Sequence, residues 1–103
     1  MSDGLSSNTR DLIETGKRSF VANYSPREVV LERGEGARLW DVDGEEYIDL
    51  GTGIAVNNLG HENPELVAAF EEQGRKLWHV SNIYWSEPAI RLAEELVAAF
   101  SYL

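Results

Sequence analysis

The order of elements in this sequence predicts an α+β fold: one helix, three short antiparallel strands, a glycine-rich loop, then two helices. Three observations carry that expectation. An Asp43-Gly44 pair lies between two apolar runs, the strongest short-range hairpin signal. Asn63-Pro64 and Ser86-Glu87-Pro88 each read as a helix start, with proline placed where its missing N–H costs nothing. Strand and helix also fail to alternate, so a doubly wound parallel sheet cannot be built from these residues.

The opening stretch from Met1 to Thr9 is rich in Ser, Asp, Gly and Asn and reads as a lead-in with little apolar surface. Leu12, Ile13 and Phe20 then recur at helical spacing, predicting a helix from Thr9 to about Ala22 with Asn8 or Thr9 as its cap. Gly16 opposes it by about 1 kcal/mol relative to alanine. Ser25-Pro26 ends this element, and Glu28 to Glu32 is apolar and β-branched enough for a strand.

Gly34-Glu35-Gly36 turns the chain into a second strand, Ala37 to Asp41, and Asp43-Gly44 turns it into a third, Glu45 to Leu50. Trp40, Tyr47 and the pair Val29 and Leu31 are the candidates for the buried face of this meander. Gly51, Gly53 and Gly60 bracket an irregular segment in which backbone can approach a ligand or another chain closely. Beyond Pro64, Leu66, Val67, Ala69, Phe70, Gln73, Leu77 and Trp78 continue at helical spacing. Ile90, Leu92, Ala93, Leu96, Val97 and Phe100 do so after Ser86, in a helix expected to run to the end of the chain. Three segments result: 1–26, an N-terminal arm and helix; 27–60, the meander and its loop; and 61–103, a helical stretch.

Composition narrows the function classes. The 103 residues carry 18 acidic and 9 basic side chains, a formal charge of −9, which repels a polyphosphate partner and argues against nucleic acid. An apolar content of 43% is ample for a globular domain. No apolar run approaches the roughly 20 residues a bilayer crossing needs, and the start lacks the basic and apolar regions of a signal peptide. The expectation is a protein with no membrane partner, located in the cytoplasm. Without cysteine there is no disulfide framework and no thiolate chemistry.

Few side chains form a catalytic pattern. His61 and His79 stand eighteen residues apart without metal-ligand spacing, and His61 reads as a hydrogen-bonding loop residue. The pairs Glu45/Glu46, Glu71/Glu72 and Glu94/Glu95 are sequence neighbours and read as solvated surface. Neither Ser81 nor Ser86 lies in a nucleophile elbow, and no phosphate-binding glycine loop is present. Lys17 and Lys76 both sit in charged helical settings, unlike the desolvated site that makes a lysine a Schiff-base nucleophile. The aromatic set Trp78, Tyr84 and Trp85 falls in a connection between helices, where either a protein interface or local packing would account for it.

Five motifs in order complete the reading: NYSPREVVLERGEG, LWDVDGEEYIDL, GIAVNNLGHENPELVAA, KLWHVSNIYW and LAEELV. Together, from about Asn23 to about Leu96, they resemble the N-terminal part of acetylornithine and succinylornithine aminotransferases, pyridoxal-phosphate enzymes of class III and fold type I. The resemblance implies part of a small domain, followed by chain leading toward a large cofactor domain.

It further implies that Tyr24 lies at the substrate entrance and that Gly53 and Ile54 line the substrate side of the pocket. Ornithine-specific relatives tend to carry tyrosine at the position of Ile54, so isoleucine favours an N-acylated donor. Trp78, Ser81, Asn82 and Tyr84 would approach a second subunit of a homodimer. The implied activity is transfer of an amino group from a small-molecule donor to 2-oxoglutarate in arginine metabolism, with pyridoxal phosphate as cofactor. None of the family's four cofactor-handling groups is matched: Schiff-base lysine, acid facing the pyridine nitrogen, phosphate cradle and carboxylate-binding arginine. FSYL at the end departs from the family's usual continuation. A fragment inactive alone is therefore expected, with no catalytic, cofactor-binding or metal-binding residue of its own. An independent, noncatalytic interaction or self-association module is the alternative.

Overall fold

The computed structural model describes residues 4–100 and divides into two compact units, Met1–Val67 and Ala68–Leu103. The expected departure at FSYL falls largely on residues 101–103, outside the described residues.

In the first unit, α1 (Ser7–Ser19) begins earlier than its apolar spacing indicates. Its cap is Ser6, whose Oγ accepts the Thr9 N–H at 3.1 Å, so neither Asn8 nor Thr9 caps the helix and Ser7 to Thr9 belong to it. Thr9 is buried rather than part of a loose lead-in. Lys17 and Arg18 complement the helix dipole in the last turn, and Gly16 is tolerated inside.

Three strands follow in antiparallel order: β1 (Leu31–Glu35), β2 (Arg38–Asp41) and β3 (Glu46–Ile48). The first strand is displaced from the expected Glu28–Glu32 because its ladder partners, Asp41 to Arg38, lie opposite Leu31 to Glu35. Gly34 and Glu35 are thus strand residues, and the turn is carried by Gly36 (φ +55°) and Ala37. Leu31 faces Asp41 and Arg33 faces Trp40, which leaves Glu32 as a bulge. Arg33 lays its guanidinium 3.6 Å above the Trp40 ring, and Arg38 pairs with Glu46 across the strands at 2.9 Å.

The expected apolar face is nowhere fully buried, and Trp40 alone of its four residues is half-buried. Val29, Leu31 and Tyr47 remain 39%, 51% and 38% exposed, and no hydrophobic side chain among the described residues is buried. Polar groups order this unit instead. The Asp41 carboxylate accepts the backbone N–H of Asp43 (3.0 Å) and Glu45 (2.9 Å) and the Tyr47 hydroxyl (2.8 Å), tying the β2–β3 turn together. The Asp43 carboxylate accepts the Ser6 and Thr9 hydroxyls, each at 2.6 Å, and so places negative charge at the N-terminus of α1.

After β3 the chain makes a single turn, α2 (Thr52–Ala55), and then α3 (Pro64–Gly74), whose start is capped by Asn63 Oδ1 accepting from Glu65 and Leu66 N–H. That helix is shorter than its apolar spacing. Past Gly74 the side chains of Gln73 and Trp78 turn back, Gln73 Nε2 donating to the Leu77 carbonyl and Trp78 Nε1 to the Gly74 carbonyl, both at 2.7 Å. Leu77 and Trp78 are therefore outside the helix. In the second unit α4 (Glu87–Ala99) starts after Ser86, as expected, but ends at Ala99 with the Phe100 N–H bonded to the Leu96 carbonyl.

Candidate functional site

The loop after β3 is built by one carboxylate and one imidazole. Asp49 Oδ1 accepts the N–H of Gly51 (3.1 Å) and Thr52 (2.8 Å), and its Oδ2 lies 2.7 Å from His61 Nε2. The hydrogen bond to His61, with those from Thr52 and Gly51, holds the Asp49 carboxyl below the ordinary carboxylate range. His61 is fastened as well through its backbone, which exchanges two hydrogen bonds with Gly36 at 2.8 and 2.9 Å. Its ring lies against Gly34, where an added Cβ would come within 2.5 Å of the imidazole. At Gly60, φ +82°, an added Cβ would come within 3.0 Å of the Gly36 backbone, so the close approach of the loop there needs a glycine.

Between these anchors the backbone of α2 is left-handed. Thr52, Gly53, Ile54 and Ala55 have φ of +47°, +63°, +63° and +59°. For non-glycine residues this costs about 1–2 kcal/mol each, and a β-branched residue is the least suited to it. The outcome is an isoleucine side chain held 95% exposed on a fixed backbone.

Of the residues the sequence singles out, Gly53 and Ile54 share this turn. Tyr24, 82% exposed, lies elsewhere in the first unit, along a groove of about 910 Å³ formed by the later part of α1 and residues 20–30; neither Gly53 nor Ile54 lines it. Trp78, Ser81, Asn82 and Tyr84 belong to the second unit, where the Tyr84 N–H closes a turn onto the Ser81 carbonyl at 3.0 Å and the Trp78 indole is 87% exposed. Trp85 is also 90% exposed, so local packing does not account for these aromatics. Asp49 lies within the motif LWDVDGEEYIDL but is not among the candidate site residues of the sequence. An aspartate three residues before a threonine beside glycines is the signal that it caps a turn.

His61 is the hydrogen-bonding loop residue expected. Among the described residues no cluster of three or more His, Cys, Asp or Glu is placed to hold a metal ion, and no helix is long and apolar enough to cross a membrane.

Residues 20–102 match the family pattern described as Aminotransferase class-III. The chain belongs to this family. Class III relatives include the acetylornithine aminotransferase of Xanthomonas axonopodis pv. citri, 62% identical over 80 residues, 78% of this chain and 20% of that protein. Another is the acetylornithine aminotransferase of Myxococcus xanthus, 49% identical over 96 residues, 93% of this chain and 24% of that protein. Among solved structures, N-acetylornithine aminotransferase from Stenotrophomonas maltophilia K279a superposes with a TM-score of 0.75 at 55% identity, covering 84% of this chain and 22% of its own. The acetylornithine aminotransferase of Elizabethkingia anophelis superposes at 0.85 with 32% identity, covering 91% of this chain and 23% of its own. The chain therefore spans about a fifth of the length of the relatives it matches. Its α+β fold is the corresponding part of a fold type I class III aminotransferase.

Members of this class work with pyridoxal phosphate, and this chain's own amines do not fit that cofactor. The two lysines, Lys17 and Lys76, are ion-paired with Glu14 at 2.8 Å and Glu72 at 2.6 Å, with lysine side chains 58% and 61% exposed. Those hydrogen bonds raise both ammonium groups above the ordinary lysine value, the opposite of what an imine-forming amine requires.

Proposed function

We propose that this chain forms the N-terminal part of an acetylornithine-type aminotransferase, which transfers an amino group from an N-acylated donor to 2-oxoglutarate in the cytoplasm. The observation that carries this reading is the 62% identity to an acetylornithine aminotransferase over 80 residues, 78% of this chain. Pyridoxal phosphate supplies the electron sink for such chemistry, held by residues other than these. This chain contributes walls and contacts. Gly53 and Ile54 present an apolar surface toward the donor, Tyr24 stands at the entrance, and Trp78, Ser81, Asn82 and Tyr84 meet the second subunit of a homodimer.

The geometry supports that division of labour. An isoleucine held on strained backbone with its side chain almost wholly in water is unfavourable for these residues alone, and an acylated donor or neighbouring protein surface would cover it. Indole and phenol rings left exposed between α3 and α4 are the side chains interfaces favour. By itself the chain should carry out no transamination.

The test is a chimera in which residues 20–100 replace the matching stretch of the Xanthomonas enzyme. Transamination of acetylornithine within about tenfold of the parent supports the proposal, with Ile54→Tyr raising the KM for the acylated donor by about tenfold, or roughly 1.4 kcal/mol. A folded, cofactor-loaded chimera without transamination would refute it and favour the noncatalytic module.

A further inference from the structure

Four consecutive residues in left-handed backbone, two of them β-branched, do not persist unless the surroundings over-determine them. Ile54 cannot supply that restraint through its side chain, which at 95% exposure touches almost nothing. Its position is set through the backbone alone, and the backbone is held at both ends. At the front, Asp49 Oδ1 takes the N–H groups of Gly51 and Thr52. Through Oδ2 the same carboxylate reaches His61, and His61 is bound to the sheet by its paired hydrogen bonds with Gly36 and by its ring against Gly34. A continuous chain of contacts thus runs from β1 through His61 and Asp49 to the strained turn.

We infer that Asp49 and His61 are a positioning pair that imposes the left-handed turn and so aims Ile54. On the reading given above, the pair governs which donor side chains the pocket accepts without touching the donor itself. The chemistry is specific. A carboxylate offers two oxygens with several lone-pair sites, so one group can hold two amides and an imidazole together, whereas a side chain with fewer acceptors must release one of them.

The isotopically labelled 103-residue chain tests this by NMR, since positive φ brings a residue's own Hα and HN together and gives a strong nuclear Overhauser effect. In the unsubstituted chain that signature is expected at Thr52, Ile54 and Ala55, each of which has a single Hα. Asp49→Ala should abolish it and speed exchange of the Thr52 amide by about tenfold or more, the loss expected for a charge-assisted hydrogen bond. The β1–β2 amides should keep their protection. Asp49→Asn, which retains an amide-accepting oxygen, should restore much of the signature. His61→Phe, which retains a ring against Gly34, should weaken it severalfold.

The inference is overturned if the unsubstituted chain lacks the signature, if the variants leave residues 52–55 unchanged, or if sheet and turn protection vanish together. In the active chimera, His61→Phe should raise the donor KM with kcat within about twofold, and an equal fall in kcat would likewise count against it. The two readings fail separately. A turn that answers to Asp49 beside an inactive chimera defeats only the functional proposal, and a turn indifferent to Asp49 in an active chimera defeats only this one.

Discussion

The two units of this chain are stabilised by different kinds of contact. In the first, three aspartates each gather several donors, some of them far along the chain: Asp41 binds the turn after it and Tyr47, Asp43 binds Ser6 and Thr9, 37 and 34 residues back, and Asp49 binds Thr52 and, twelve residues on, His61. In the second, the side-chain hydrogen bonds are local, within one or two helical turns, as in Glu72–Lys76, Gly74–Trp78 and Glu87–Arg91. Neither unit has a buried apolar side chain among the described residues, so specificity in the first comes from directional bonds to carboxylates. Local pairs on exposed helices contribute little and impose no tertiary arrangement.

Substitutions can break this contrast. Asp41→Ala removes one side-chain partner and two backbone partners at once from an 8% exposed site, and should lower the thermal midpoint by about 10 °C as read by circular dichroism. Gly34→Ala comes next. The new methyl would meet an imidazole fixed on two sides, and overpacking of this kind costs about 1–3 kcal/mol, measurable by urea titration.

Acid should act on the first unit before the second. Asp41 is held below the ordinary carboxylate range chiefly by the Tyr47 hydroxyl, and Asp49 chiefly by His61, so protons bind the unfolded chain more tightly than the folded one. Their stabilisation is complete above the unfolded-state value and is lost as pH falls through the lower folded one. Melting temperatures recorded from pH 6 to pH 3 should decline, and Asp49→Asn should flatten the decline; a flat profile in the unsubstituted chain would count against the carboxylate scheme.

Gly16→Ala tests a smaller effect with the opposite sign. The added Cβ would sit 3.7 Å from the Phe20 ring, in ordinary contact, and α1 should gain about 1 kcal/mol in urea titration. Smallest of all is Lys76→Ala in the second unit, which should shift the midpoint by no more than about 2 °C because the pair it breaks is solvated.

The starts of α3 and α4 and the hairpin were legible because they rest on local chemistry: Asn63-Pro64, Ser86 with Pro88, and Asp43-Gly44 act within a few residues of themselves, whereas the cap of α1 fell to Ser6 rather than Asn8 or Thr9. The placement of β1 was not. Val29 and Val30 have more strand character than Arg33 and Gly34, yet pairing with β2 decided the register. Helix α3 ends at Gly74 although apolar spacing continues to Trp78, because side chains there serve the terminal carbonyls.

At the candidate site, family likeness marks Gly53 and Ile54, and the setting of His61 beside a helix start marks it as a hydrogen-bonding loop residue. The bond from His61 to Asp49 joins residues twelve apart across a turn, and no periodicity reports such a contact. A positive φ at isoleucine is equally silent in sequence, since the residue type argues against it.

The seat of α1 on Asp43 bears on how the polypeptide emerges during synthesis. Ser6 and Thr9 receive that carboxylate from 37 and 34 residues downstream. At translation rates of about 5–20 residues per second, a nascent first helix must wait a few seconds for its electrostatic complement. Until the second hairpin leaves the ribosome, the leading segment has only its own propensity to keep it coiled.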